Sequence, residues 1–290
     1  MSVPRYRFFS ASDAAAMSRL AFTARQVVEG VLTGQHRSPH RGFSVEFSEH
    51  RDYSPGDEIR HLDWKAYARS DRYFIKLFEQ ETNLRGLFIV DTSRSMGYAG
   101  KLDYSKHLTA CLGYLLVRQQ DWVGLLAADE QVRVDLPAGG SASHLDRFFK
   151  HLETLTPRGS TDLPRHLHDL AERAPRRSLF ILISDLWCEP EHLARAFQHL
   201  RYKRHSLMIL HLLDRTELTL PDHHRITLED LETGERVEID TRQIRNDYRQ
   251  QVSEHLNHIR QAAHDGGAEY HRLWVHTPYH NALLNLLNRT

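Results

Sequence analysis

Two short apolar runs, residues 87–90 and 179–183, and a third strand-like segment, residues 207–213, broken by His211 alone, constrain this chain more than anything else in it. A strand with one face in water alternates apolar and polar residues, whereas a strand covered on both faces reads as a near-continuous apolar run. Segments with apolar residues at three- and four-residue spacing separate these runs, and that spacing is the mark of helices with one buried face. Tyr104, Leu108, Cys111, Leu112 and Leu115 form one such face, and Leu145, Phe148, Phe149 and Leu152 another. Residues 163–174 form a third helix, with Pro164 tolerated in its first turn. Further helices are expected over 192–200, along Tyr248, Val252, Leu256, Ile259 and Ala263, and over 281–287.

Strands alternating with helices predict an α/β fold with a doubly wound, mainly parallel sheet. Residues 123–127 and 132–136 read as a hairpin around Asp129-Glu130, which puts one antiparallel strand at the sheet edge. Residues 226–228 and 237–239 predict a small β excursion around Thr233-Gly234-Glu235, and residues 270–275 a last strand. This pattern begins at Arg85. Residues 1–84 read as a separate N-terminal region, with a helix over 14–32, a turn at Ser54-Pro55-Gly56-Asp57 and a strand over 73–78. Residues 85–290 form the main domain.

The chain has 290 residues, of which 40% are hydrophobic and 26% charged, enough for a substantial core. Its formal net charge is zero, which leaves no bulk attraction to nucleic acid. Residues 1–10 hold no apolar signal core, and no stretch approaches a membrane span. Cys111 and Cys188 have no metal-like spacing and are expected to be buried thiols of a reducing compartment. A cytoplasmic protein without membrane insertion is the expectation.

Where the first two runs stop, the chemistry begins. Residues 87–90 end at Asp91-Thr92-Ser93-Arg94-Ser95, and residues 179–183 end at Ser184-Asp185. Between them lies the turn Gly159-Ser160-Thr161-Asp162. Open α/β sheets place ligands outside the carboxyl ends of their strands. Asp91, Ser93, Ser95, Thr161 and Asp185 are the hard oxygen donors that a magnesium ion takes. Ser93 and Ser95 lie two apart, so both hydroxyls can face one point, and Thr161 brings a third. Asp91 and Asp185 supply charge, directly or through waters. A cation so held stays electron-poor and favours a carboxylate from outside, which makes it a hook for an acidic side chain of a partner protein. Taken singly, strand-end aspartates also cap helices and turns.

The five residues resemble the metal-ion-dependent adhesion site of von Willebrand factor A domains. The likeness extends to Arg37-Ser38-Pro39, Arg41-Gly42, Ser54-Pro55-Gly56-Asp57, Leu62-Asp63-Trp64-Lys65-Ala66 and residues 228–235. These segments resemble the bacterial "domain of unknown function 58" family, and the likeness covers nearly the entire chain. It implies a von Willebrand factor A-like domain of Rossmann type behind an N-terminal region. Many members carry transmembrane helices ahead of that domain. The resemblance also implies an association with MoxR-type AAA ATPases, as an adaptor in chaperone-like maturation of other proteins. The cofactor expected is Mg²⁺, with Mn²⁺ or Ca²⁺ as alternatives, and no catalytic activity is expected.

Other patterns weigh less. Gly97-Tyr98-Ala99-Gly100-Lys101 lacks the glycine spacing and the trailing Ser/Thr of a phosphate loop. Neither serine sits in a Gly-x-Ser-x-Gly elbow. The residue two after Asp91 is Ser93, where a dehalogenase-type phosphatase needs a second carboxylate. A metal-assisted hydrolase on the same Asp/Ser site stays open. The run Asp57-Glu58-Ile59-Arg60 to Asp63-Trp64-Lys65, with Arg69 and Arg72, reads as an internal ion-pair network or as a partner surface, and Trp64 as packed. His36, His40, His166 and His168 lack the partners of a zinc site and read as surface residues.

Overall fold

The structure, a computed structural model, describes residues 6–15, 17, 46–52, 64, 67, 73–79, 84–175, 177–221, 225–231 and 234–287. Contacts divide the chain into two compact units, residues 1–36 with 84–290, and residues 37–83. In the smaller unit, β1 (Glu46–Asp52) pairs antiparallel with β2 (Phe74–Glu79), with a bulge between Phe47 and Glu49. Trp64, expected to be packed, is 58% exposed, with its ring edge-on to that of Tyr67 at 6.3 Å. The charged run around it, the motifs between residues 37 and 63, and most of the helix expected over 14–32 lie outside the described residues.

Six strands form the sheet of the larger unit: β3 (Arg85–Asp91), β4 (Trp122–Ala128), β5 (Val132–Gly139), β6 (Leu179–Ser184), β7 (Ser206–Leu213) and β10 (Glu269–Trp274). Their order is β10-β7-β6-β3-β4-β5. Every pairing is parallel except β4 with β5, the antiparallel edge hairpin expected from the sequence. Helices α1 (Lys101–Arg118), α2 (Ala142–Thr154) and α6 (Tyr279–Leu287) cover one face. The other face is covered by α3 (Leu163–Arg173), α4 (Pro190–Tyr202) and α5 (Thr241–Asp265). This is the doubly wound α/β architecture that the apolar runs predict. Along β3, Phe88 and Val90 enter the first core while Ile89 enters the second, so the strand cannot alternate with polar residues. The small excursion is the antiparallel pair β8 (Ile226–Glu229) and β9 (Arg236–Ile239).

Residues 6–17 group with the larger unit, although the sequence division set residues 1–84 apart. Phe9 is 1% exposed and stacks on Phe149 of α2 at 5.0 Å. Asp13 accepts hydrogen bonds from Tyr279 Oη (2.9 Å) and His280 Nε2 (2.8 Å) of α6. These contacts tie the start of the chain to its end, a pairing that no local pattern announces. Cys111 is buried as expected, but Cys188 is only half-buried, and neither forms a disulfide.

Gly124 of β4 lies between Leu87 of β3 and the Leu136–Ala138 backbone of β5. A Cβ added there would lie 2.5 Å from Leu87 Cδ2, 3.0 Å from the Leu136 carbonyl oxygen and 3.1 Å from Ala138 N. Two of these atoms are backbone and cannot swing away. Gly124→Ala should therefore lower stability by about 1–3 kcal/mol, the usual cost of overpacking. Urea denaturation checks this, and a midpoint equal to that of the parent would show that the hairpin yields.

Candidate functional site

The strand order reverses between β3 and β6. From β3 the chain moves outward through α1, β4 and β5, then crosses back to place β6 on the other side of β3. The adjacent carboxyl ends of such strands form the crevice in which open α/β sheets bind ligands. Asp91 ends β3, and Asp185 follows Ser184 at the end of β6. Backbone bonds stitch the Thr161 loop to the same place, with Arg158 N–H donating to the Thr92 carbonyl (2.7 Å) and Arg94 N–H to the Gly159 carbonyl (3.1 Å).

All five residues of the sequence-derived set meet here. Asp91, Ser93 and Asp185 are 2%, 0% and 1% exposed, while Ser95 and Thr161 are half-buried and mark the open side. Ser93 N–H donates to Asp91 Oδ1 at 2.8 Å. The hydroxyls of Ser93 and Ser95 lie 3.0 Å apart, and Ser95 donates to Asp185 Oδ1 at 3.2 Å. Thr161 Oγ1 stands 3.5 Å from Asp91 Oδ2, at the outer limit of a hydrogen bond. The chain after β6 holds an uncommon conformation: Leu186 has φ 54°, left-handed for a non-glycine residue, and its N–H is caught by Ser184 Oγ at 2.9 Å.

Three residues join the site that the sequence reading did not assign to it. Ser184 donates to Asp91 Oδ2 at 2.7 Å. Lys101 Nζ donates to Asp185 Oδ2 at 2.5 Å and to Glu217 Oε1 at 2.6 Å, with the lysine side chain fully buried. Ser184 was legible as the residue before a strand-end aspartate. Lys101 left a weaker trace, a cation in the first turn of a helix, where the helix dipole disfavours it. Glu217 left none. Ala99 (φ 50°) and Gly100 (φ 74°) are both left-handed and turn the chain so that α1 begins at Lys101.

The electrostatics follow from this packing. Burial, and then the Asp185 carboxylate, push the Asp91 carboxyl up to about 6, while its bonds from Ser184 and Ser93 pull it back. Burial works against the charge of Lys101, but Asp185 and Glu217 outweigh it and hold the ammonium above its ordinary value. Among the described residues, Asp91, Asp185 and Glu217 set three negative charges against the one ammonium of Lys101, which leaves two uncompensated. Hard oxygen donors around a double charge deficit suit a divalent cation. Among the described residues no group of three or more His, Cys, Asp or Glu is placed to hold a metal, so a cation here would depend on the serine and threonine hydroxyls.

The histidines depart from expectation. His166 is 3% exposed, and its Nε2 bonds the Asp129 carbonyl at 2.8 Å, so it is a core residue that braces the β4–β5 turn. His168 is half-buried, with its Nδ1 2.9 Å from Nδ1 of His199 on α4. His36 and His40 lie outside the described residues. Among those described, no helix is long and apolar enough to cross a membrane.

A family model described as "Protein of unknown function DUF58" matches residues 49–258, more than half of the chain. Uncharacterized protein Mb1516 of Mycobacterium bovis and Uncharacterized protein Rv1480 of Mycobacterium tuberculosis are each 28% identical over 233 residues, 76% of this chain and 71% of theirs. Among solved structures, the conserved hypothetical protein BatB of Bacteroides thetaiotaomicron is similar at a TM-score of 0.46 and 14% identity, over 71% of this chain and 98% of that one. The SpRpn10 VWA domain is similar at a TM-score of 0.43 and 13% identity, over 70% of this chain and 95% of that one.

Proposed function

This chain belongs to the DUF58 family, and from that premise we propose that its larger unit is a non-catalytic, divalent-cation-dependent protein-binding module. One observation carries the reading: two buried carboxylates and three hydroxyls from separate segments meet at the strand-order reversal, and with Glu217 counted against Lys101 two negative charges stay uncompensated among the described residues. Ser93, Ser95 and Thr161 would hold Mg²⁺ through their hydroxyl oxygens, with Asp91 and Asp185 acting directly or through waters. Mn²⁺ or Ca²⁺ would use the same donors. The bound cation supplies a Lewis-acid position for a carboxylate from outside. The half-buried Ser95 and Thr161 line the approach for the Glu or Asp of a partner. The family resemblance makes a MoxR-type AAA ATPase the expected partner, in chaperone-like maturation of other proteins.

The alternative is a metal-assisted hydrolase on the same Asp/Ser site. In its favour, Asp91 is poised near 6, a range useful for acid–base work. Against it, both Asp91 oxygens are already engaged by Ser93 N–H and Ser184, away from solvent.

A pull-down of the intact protein from its own cell lysate, with Mg²⁺ and with EDTA in parallel, tests the reading by mass spectrometry. The expected result is an AAA ATPase retained only with Mg²⁺, and lost from Asp91→Ala while the variant stays folded by circular dichroism. Identical protein sets in both arms would remove the metal from the binding mechanism. Metal-dependent turnover by the isolated chain would favour the hydrolase.

A further inference from the structure

We infer that Lys101 is a built-in counter-cation that competes with a divalent cation for Asp185, so that metal entry requires its ammonium to pass from Asp185 to Glu217. The inference rests on the metal-binding reading above and concerns what controls that site.

Three observations carry it. The first is the sharing of Asp185. Its Oδ1 faces the Ser95 hydroxyl at 3.2 Å, on the side where the metal donors converge, while its Oδ2 holds Lys101 Nζ at 2.5 Å. A metal drawing on Oδ1 would sit beside an ammonium on the other oxygen of the same carboxylate. Like charges at that separation, away from bulk water, repel strongly.

The second is that the ammonium is out of contact with solvent. The Lys101 side chain is 0% exposed, so leaving Asp185 demands another buried acceptor. Glu217 already holds the same nitrogen at 2.6 Å. The face of the Tyr98 ring lies 5.7 Å from Nζ and offers a weaker, cation–π contact on the way.

The third is that Glu217 is fixed to receive the charge. Its Oε1 also accepts from Trp187 Nε1 (3.2 Å), and its Oε2 from Asp214 N–H (2.8 Å). Its carbonyl accepts from Tyr248 Oη of α5 (2.9 Å). An acid held at three points is a prepared seat rather than a chance surface partner. Because Trp187 shares the receiving oxygen, the transfer alters the surroundings of one indole, which gives it an optical signature.

Calorimetric titration of the full-length protein with Mg²⁺ and with Mn²⁺ tests the inference on wild type, Lys101→Met and Glu217→Gln. Lys101→Met removes the competitor and should tighten binding by at least ~tenfold. Glu217→Gln removes the seat, leaves the ammonium on Asp185, and should weaken binding severalfold. Mg²⁺ should also shift Trp187 emission in the wild type, with Trp187→Phe as the control, and leave Lys101→Met unchanged. Equal affinity in wild type and Lys101→Met overturns the competition while leaving the metal site standing. Absence of binding in all three proteins overturns both readings. If Lys101→Met fails to fold with its carboxylates unpaired, Glu217→Gln decides, and an affinity equal to or tighter than wild type overturns the inference.

Discussion

Acidification from neutral pH is expected to destabilise the folded protein by several kcal/mol, and His211→Gln to remove a large share of that loss. His211 lies in the middle layer of β7, fully buried, between two partners. Its Nε2 is 2.9 Å from the Asp185 carbonyl and its Nδ1 2.7 Å from Tyr270 Oη. The carbonyl can only accept, so Nε2 carries the proton and the tyrosine donates to Nδ1. A neutral imidazole thus satisfies both partners. Burial pushes the ring down to about 3 from an ordinary 6.5, although its bond to Asp185 resists.

The sign follows from proton counting. Below pH 6.5 the unfolded chain protonates this ring, and the folded chain does not until about pH 3. The stabilisation is therefore full above 6.5 and is lost as the pH falls through that window, on the order of 5 kcal/mol if all of it is crossed. Burial lowers His107, His205 and His255 in the same direction. Urea midpoints for wild type and His211→Gln at pH 7, 5.5 and 4.5 measure the effect. Glutamine keeps an N–H for the Asp185 carbonyl and cannot titrate, so its profile should be flatter. Parallel profiles for the two proteins would show that His211 is not the source.

Asp91→Asn should act with the opposite sign and make the metal-free protein more stable at neutral pH. The Asp91 carboxyl is raised to about 6 from 3.8 by burial and by Asp185. For an acid raised in this way, the folded state binds the extra proton. The favourable contribution is complete below 3.8 and lost above about 6, where the folded protein carries a buried like-charge pair. Asparagine keeps an oxygen for Ser93 N–H and removes the charge, for a gain of up to ~3 kcal/mol at pH 7.5. The gain should shrink to nothing toward pH 4. With Mg²⁺ the order should reverse, because a ligand that binds only the folded state stabilises it, and only wild type keeps the carboxylate. Urea midpoints in EDTA and in Mg²⁺ decide the matter. A variant no more stable than wild type in EDTA would mean that the Asp91–Asp185 repulsion is already relieved.

Most of the fold was legible because it rests on local patterns. β3, β6 and β7 carry apolar runs, broken in β7 only by His211, because helices cover both faces of the sheet. The helices announce their buried faces by their spacing, and the β4–β5 hairpin by its turn. The convergence of Asp91 and Asp185 was legible for the same reason, since each closes a strand and strand ends are local features. Histidine and tryptophan resisted this reading. His166 is buried because the Asp129 carbonyl lies within its reach, and Trp64 is exposed although aromatic residues usually pack. A side chain that can serve in water or in a core carries no sign of which it will meet.

The residue types of the site and the strand ends that bear them follow from the chain order, because period and turn chemistry act over a few residues. The charge balance does not. Lys101 lies 84 positions from Asp185 and 116 from Glu217. These groups meet only because two left-handed residues start α1 at Lys101 and the crossover sets β6 beside β3. A buried ammonium shared by two carboxylates is a property of distances in space. Coulomb interactions depend on separation and local dielectric, and folding sets both.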